Sequence, residues 1–275
     1  MNKFILKSAS LLTAAVVFVP VVAQTVSADT INPVNSTANV TFATDTTPTQ
    51  PVDPTNPGVD VPGPVDPPTG ESGPLSIDFA SNLYFGTQSV TAKTAYAHAE
   101  KWADDTARPL YVQVTDKRGT FAGWNLSVKQ ESTLHLTGVT TPEASDTTLG
   151  DYLTGSQISF GGGYTANQYS STGGPVVQSS FALNSGSQVV ANAAANTGVG
   201  TWVYGFGTGA SGTTSATLNA NMTAYSDPIN ASVDRDSVAT KSPVTLTIPA
   251  STNPSTKAAY TANLVWTLAD TPSNS

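Results

Sequence analysis

The sequence predicts an all-β fold, a β-sandwich-like single domain preceded by a disordered Pro-rich linker, and three observations predict it. Short segments with apolar residues at every second position recur from residue 75 onwards, separated by Gly, Ser, Asn and Pro; that alternation marks half-buried strands. Helical periodicity is weak throughout, the best stretch being "AYAHAEKWADD" (95–105), which reads equally well as strand and loop. The chain has no cysteine, so stability must come from burial, and the roughly 200 residues from Leu75 can bury a substantial core.

The elements follow in chain order. Residues 1–28 have the make-up of a secretory signal peptide: Lys3 and Lys7 at the start, the apolar run "LLTAAVVFVPVVA" (11–23), and small residues in "VSA" ending at Ala28, after which cleavage is expected. The run is interrupted by Pro20 and is too short for the ~20 helical residues that cross a bilayer, so no membrane span is expected after cleavage. Removing the leader takes two of eleven basic residues and none of nineteen acids, which moves the formal charge from -8 to -10. An acidic chain without basic clusters argues against nucleic acid or anionic lipid as a partner.

Residues 29–74 become Pro-rich from Pro48. Proline at this density removes backbone donors and fixes φ, so neither helix nor sheet propagates and a polyproline-like spacer is expected. At ~3.1 Å per residue, the segment from Pro48 to Pro74 would reach up to ~80 Å. Beyond it, "LSIDFA" (75–80), "PLYVQVTD" (109–116) and "PVTLTIPA" (243–250) alternate as strands, with Leu110, Val112 and Val114 on one face of the second and Val244, Leu246 and Ile248 on one face of the third. The glycine clusters "FGGGY" (160–164) and "GFGTGASG" (205–212) punctuate them as turns or bulges.

Two of the four tryptophans stand in the same triplet: "GWNLSVKQ" (123–130) and "NLVWTLAD" (263–270). In a strand, Trp124 and Leu126 share a face, and so do Trp266 and Leu268, with Asn125 and Thr267 opposed to them. A tryptophan can anchor a sandwich core, burying ~150–250 Å². It can also stand on a ledge, where the indoles stack on sugar rings while Asn125 and Asn263 bind the polar edge. The residues leave both readings open, with a third in which leucine points inward and tryptophan sits at the rim.

These two segments, together with "GPLSIDFASNLYFGTQSV" (73–90) and "YVQVTDKRGT" (111–120), make the chain resemble the WxL-domain surface proteins of lactobacilli and enterococci over essentially its whole exported length. The resemblance implies non-covalent attachment to the cell wall through peptidoglycan or an associated wall polymer, with Trp124, Leu126, Trp266 and Leu268 as the motif residues. It also implies surface-protein partners, including WxL-interacting proteins with a membrane anchor, and display at the cell surface. The C-terminal "LADTPSNS" has no sorting signal, which agrees with attachment by binding alone.

Catalytic patterns are weak, and the expectation is a binding protein rather than an enzyme, with no cofactor and no metal. "GTGASG" (207–212) has dinucleotide-loop spacing, but the alternating "TTSATLNANMTAY" (213–225) follows it where a helix would be required. His98 and His135 are the only histidines, and His135 is expected to face solvent between Leu134 and Leu136. No nucleophile elbow is present. The acid pairs Asp104/Asp105, Glu143/Asp146 and Asp234/Asp236 lie in turn-like contexts, and "DRD" (234–236) lacks the rest of an EF-hand.

Overall fold

A computed structural model describes residues 34–59, 63–64, 66–103, 107–167, 173–207 and 241–271. In chain order the strands are β1 (Leu75–Ala80), β2 (Thr94–His98), β3 (Glu100–Lys101), β4 (Ala107–Arg108), β5 (Leu110–Asp116), β6 (Trp124–Gln130), β7 (His135–Leu136) and β8 (Gln157–Phe160). They continue as β9 (Gly163–Asn167), β10 (Val176–Val177), β11 (Phe181–Ala182), β12 (Gln188–Ala193), β13 (Gly200–Phe206), β14 (Lys241–Thr247), β15 (Tyr260–Thr261) and β16 (Leu264–Ala269). Among the described residues the only helical turn is a 3₁₀ segment, Glu143–Ser145. The candidate helix at 95–105 is strand in its described part, because Ala95 and Ala97 alternate with exposed Thr94 and Tyr96.

Three four-stranded antiparallel sheets form, in the orders β1-β5-β13-β9, β10-β12-β6-β16 and β11-β8-β14-β2. All three turn apolar side chains into one core: Val112, Val114 and Tyr204 from the first, Leu126, Val128 and Ala191 from the second, and Ile158, Phe160 and Leu246 from the third. Every strand lies in the compact unit Ala43–Ser275. The chain passes from the third sheet to the first at Phe160–Gly163. A Cβ on Gly163 would lie 2.2 Å from the Gln178 carbonyl oxygen, so the corner of "FGGGY" needs glycine there.

Alternation along β5 predicts one buried face, yet all seven residues are buried. The first sheet is covered on both sides. On its outer side Tyr111 stacks on Phe79 with ring centroids 4.6 Å apart, and both pack with Trp102, Val203 and Val52. Polar residues complete that face: Thr115 Oγ1 and Gln113 Nε2 donate to Asp78 Oδ2 at 2.5 and 2.9 Å, and Ser76 Oγ donates to Asp78 Oδ1 at 2.7 Å. Burial pushes the Asp78 carboxyl above its ordinary value of 3.8, against the pull of those three donors.

The Pro-rich stretch supplies part of this cover. Residues 34–48 are exposed and free of helix and strand. From Gln50 the chain is tied to the first sheet without forming a ladder of its own: the Val52 amide donates to Gln113 Oε1 at 2.8 Å, and Gln113 Nε2 donates to the Gln50 carbonyl at 3.0 Å. Arg108 Nε donates to Asp53 Oδ2 at 3.0 Å, and Pro64 bridges to Trp102. Side chains thus supply the partners that a proline-rich backbone cannot give itself.

Candidate functional site

The two Trp-x-Leu strands are neighbours. β16 runs antiparallel to β6, with Trp266 opposite Val128, Leu268 opposite Leu126 and Ala269 opposite Asn125. Trp124, Leu126 and Val128 face the core, and Leu264, Trp266 and Leu268 continue the same apolar strip from the adjoining strand. Residues 140 apart in sequence therefore share one seam.

Position in the sheet separates the two copies. β6 lies between β12 and β16, and Trp124 and Leu126 are 1 % and 0 % exposed. Among the described residues β16 is an edge, and Trp266 and Leu268 are half-buried, with the Trp266 ring meeting Phe160 edge-on at 6.2 Å. In the first copy Trp124 and Leu126 are core and offer no surface to a ligand; the second copy sits at the rim.

Trp124 also fixes a loop. Its Nε1 donates to the Gly198 carbonyl at 2.9 Å, between β12 and β13. Gly123 precedes it at φ 79°, and a Cβ there would lie 2.3 Å from the Ala193 carbonyl oxygen, so the glycine of "GWNL" is a close-approach requirement. Arg118 binds the same corner from the other side. It pairs with Asp116 in a two-bond fork (Nε to Oδ1 3.0 Å, Nη2 to Oδ2 2.8 Å) and donates to the Gly123 carbonyl at 2.6 Å and the Asp270 carbonyl at 2.9 Å. It thereby joins the β5–β6 turn to the end of β16. Nothing in the sequence singled out Arg118, whose role depends on the strand pairing.

The asparagines do not converge. Asn125 Nδ2 donates to the Thr271 carbonyl at 2.7 Å beside the end of β16. Asn263 lies beyond the opposite end of the seam, exposed, with Nδ2 at 3.5 Å from Glu131 Oε2. Between them the outer face of the second sheet carries the pairs Ser127–Thr267 and Lys129–Val265.

The other candidates resolve individually. His135 is half-buried rather than solvent-facing, its ring 5.6 Å from Tyr152 and its Nδ1 3.0 Å from the Thr133 carbonyl oxygen, between buried Leu134 and Leu136. His98 is buried on β2. Glu143 accepts from Thr133 Oγ1 at 2.6 Å and Thr154 Oγ1 at 2.7 Å, so it clamps two segments together. Asp146 Oδ1 accepts from the Thr148 amide at 2.7 Å. These two acids line a polar cleft of about 330 Å³ with Tyr152 and Thr252. Burial, then Asp146 and Glu143, raise the Tyr152 phenol above 10.0. Asp104, Asp105, Asp234, Asp236 and residues 208–212 lie outside the described residues. No helix among the described residues is long and apolar enough to cross a membrane.

No curated protein and no solved structure matches the chain. The family model described as WxL domain surface cell wall-binding matches residues 29–272, which takes in the Pro-rich stretch, all three four-stranded sheets and both halves of the seam. The chain belongs to the WxL family of surface cell wall-binding domains.

Proposed function

We propose that this protein is exported through its N-terminal leader and binds peptidoglycan non-covalently, which displays it on the bacterial exterior without a chemical bond to the wall. The family match across residues 29–272 carries the reading. The seam between β6 and β16 supports it, because the two family triplets, remote in sequence, build one sheet. The activity is binding. Glu143 is engaged by two threonine hydroxyls rather than poised as an acid.

A second reading has its own observation. Among the described residues β16 is an edge strand, and an edge can be extended by a strand from another surface protein, such as a membrane-anchored WxL-interacting partner. Incubating the purified protein with isolated sacculi, with wall polysaccharide retained or stripped, separates the two. Sedimentation with stripped sacculi is the expected result. Protein that stays in the supernatant with both preparations would rule out wall binding and leave the partner reading.

A further inference from the structure

The most strained residue with an exposed apolar side chain stands beside the first motif tryptophan. Phe121, between β5 and β6, has φ 57° and is 53 % exposed. The left-handed region is disfavoured for an aromatic residue, and exposing a phenyl ring to water is unfavourable as well. Glycine at this position would remove both penalties. Stability of the fold therefore does not account for a phenylalanine here, and strain retained in a well-supported loop is a mark of function.

The support is extensive. The Phe121 carbonyl accepts the amide of Asn196 at 2.8 Å, and Asn196 itself has φ 68°, a conformation asparagine tolerates. Asn196 belongs to the β12–β13 loop whose Gly198 carbonyl is held by Trp124 Nε1. A Cβ on Gly198 would fall 2.7 Å from that nitrogen, so loop and indole are in direct contact. On the other side, Arg118 grips the Gly123 carbonyl at 2.6 Å, two residues after Phe121. The ring is thus presented by two loops that the buried tryptophan and the Asp116–Arg118 fork hold in place, which is the preorganisation a binding surface needs.

We propose that Phe121 is a glycan-contacting residue of this domain: its exposed ring stacks on a neutral pyranose of the wall glycan, and Trp124 is the buried foundation that positions it. The assignment rests on the wall-binding reading above. An aromatic face is electron-rich and attracts the weakly positive C–H face of a sugar ring. The exposed side-chain amide of Asn196, on the supporting loop, supplies both a donor and an acceptor to orient hydroxyl or acetamido substituents. Without its leader the chain has formal charge -10 and repels anionic polymers, which favours the uncharged glycan strand over phosphate-bearing wall polymers. The role of the family triplet follows. Trp124 acts on binding through the loops it holds, without touching the ligand.

Phe121→Gly is the decisive substitution because its two effects have opposite signs. Relief of the positive φ should leave the melting temperature unchanged or raise it, whereas loss of the stacking face should weaken binding to polysaccharide-stripped sacculi by about tenfold. Phe121→Trp should keep binding within about threefold. Binding by Phe121→Gly within about twofold of the native protein, or a lowered melting temperature, would overturn the assignment. Stronger retention on polysaccharide-bearing than on stripped sacculi would overturn the choice of glycan. Failure of the native protein itself to sediment would bring down the wall-binding reading and this assignment with it, and the native arm alone shows which has failed.

Discussion

Trp124 and Trp266 occupy equivalent places in the same triplet, and the fold treats them differently. One lies on an interior strand, closed off by β12 and β16 and hydrogen-bonded to a loop; the other lies on the sheet's edge, half-buried. What separates them is sheet position rather than local sequence. A motif tryptophan is read by its neighbouring strands, and the interior copy is also hydrogen-bonded to the β12–β13 loop.

The contrast breaks most easily at the interior copy. Trp124→Ala should cost about 3–5 kcal/mol by thermal or denaturant unfolding, since it empties a closed core site and frees the Gly198 carbonyl. Trp266→Ala should cost about 1–2 kcal/mol, because the edge position already leaves part of the ring in water. Equal losses at the two positions would erase the distinction. If Trp266→Ala reduces sacculus binding at an unchanged melting transition, the rim ring joins the contact surface.

Ionisable groups sharpen the same comparison. Buried Asp78 has its carboxyl pushed up, whereas exposed Asp45 is held down at about 2 by the Thr47 amide and hydroxyl and by Lys117. A raised folded-state value means that Asp78 favours the fold fully below its unfolded value near 3.8 and that this contribution is lost as pH rises through the folded value. Asp78→Asn, whose carboxamide can still accept from Thr115 and Gln113, should therefore gain melting temperature relative to the native protein between pH 4 and pH 7. A difference that does not change with pH would refute this. The smallest effects belong to the asparagines. Asn125→Ala, losing its 2.7 Å bond to Thr271, should cost about 0.5–1.5 kcal/mol. Asn263→Ala should be neutral within ~0.5 kcal/mol by the same unfolding measurement.

Much of this was legible in the sequence. Period-two alternation placed "LSIDFA", "LYVQVTD", "WNLSVKQ" and the strand through Trp266 correctly, and "FGGGY" read as a turn or bulge stands at the corner between β8 and β9. What escaped depends on contacts between remote segments. The second buried face of β5 could not be read from Tyr111, Gln113 and Thr115, because its cover comes from Val52 and Trp102. Proline content correctly excluded helix and sheet for residues near Gln50, but it carries no information about side chains such as Gln113 and Arg108 that bind an extended backbone. Phe121 was passed over because its signal is a dihedral angle. A phenylalanine after "RGT" looks ordinary until its φ is known.

The seam joining β6 to β16 closes a span of 140 residues, and that has a kinetic consequence. Bringing such distant segments together carries a large loop-closure entropy before any contact rewards it, and folds dominated by remote pairings assemble slowly. During synthesis β6 emerges long before its partner and waits with one flank unpaired, so the sheet that carries both family triplets is among the last parts of the molecule to set.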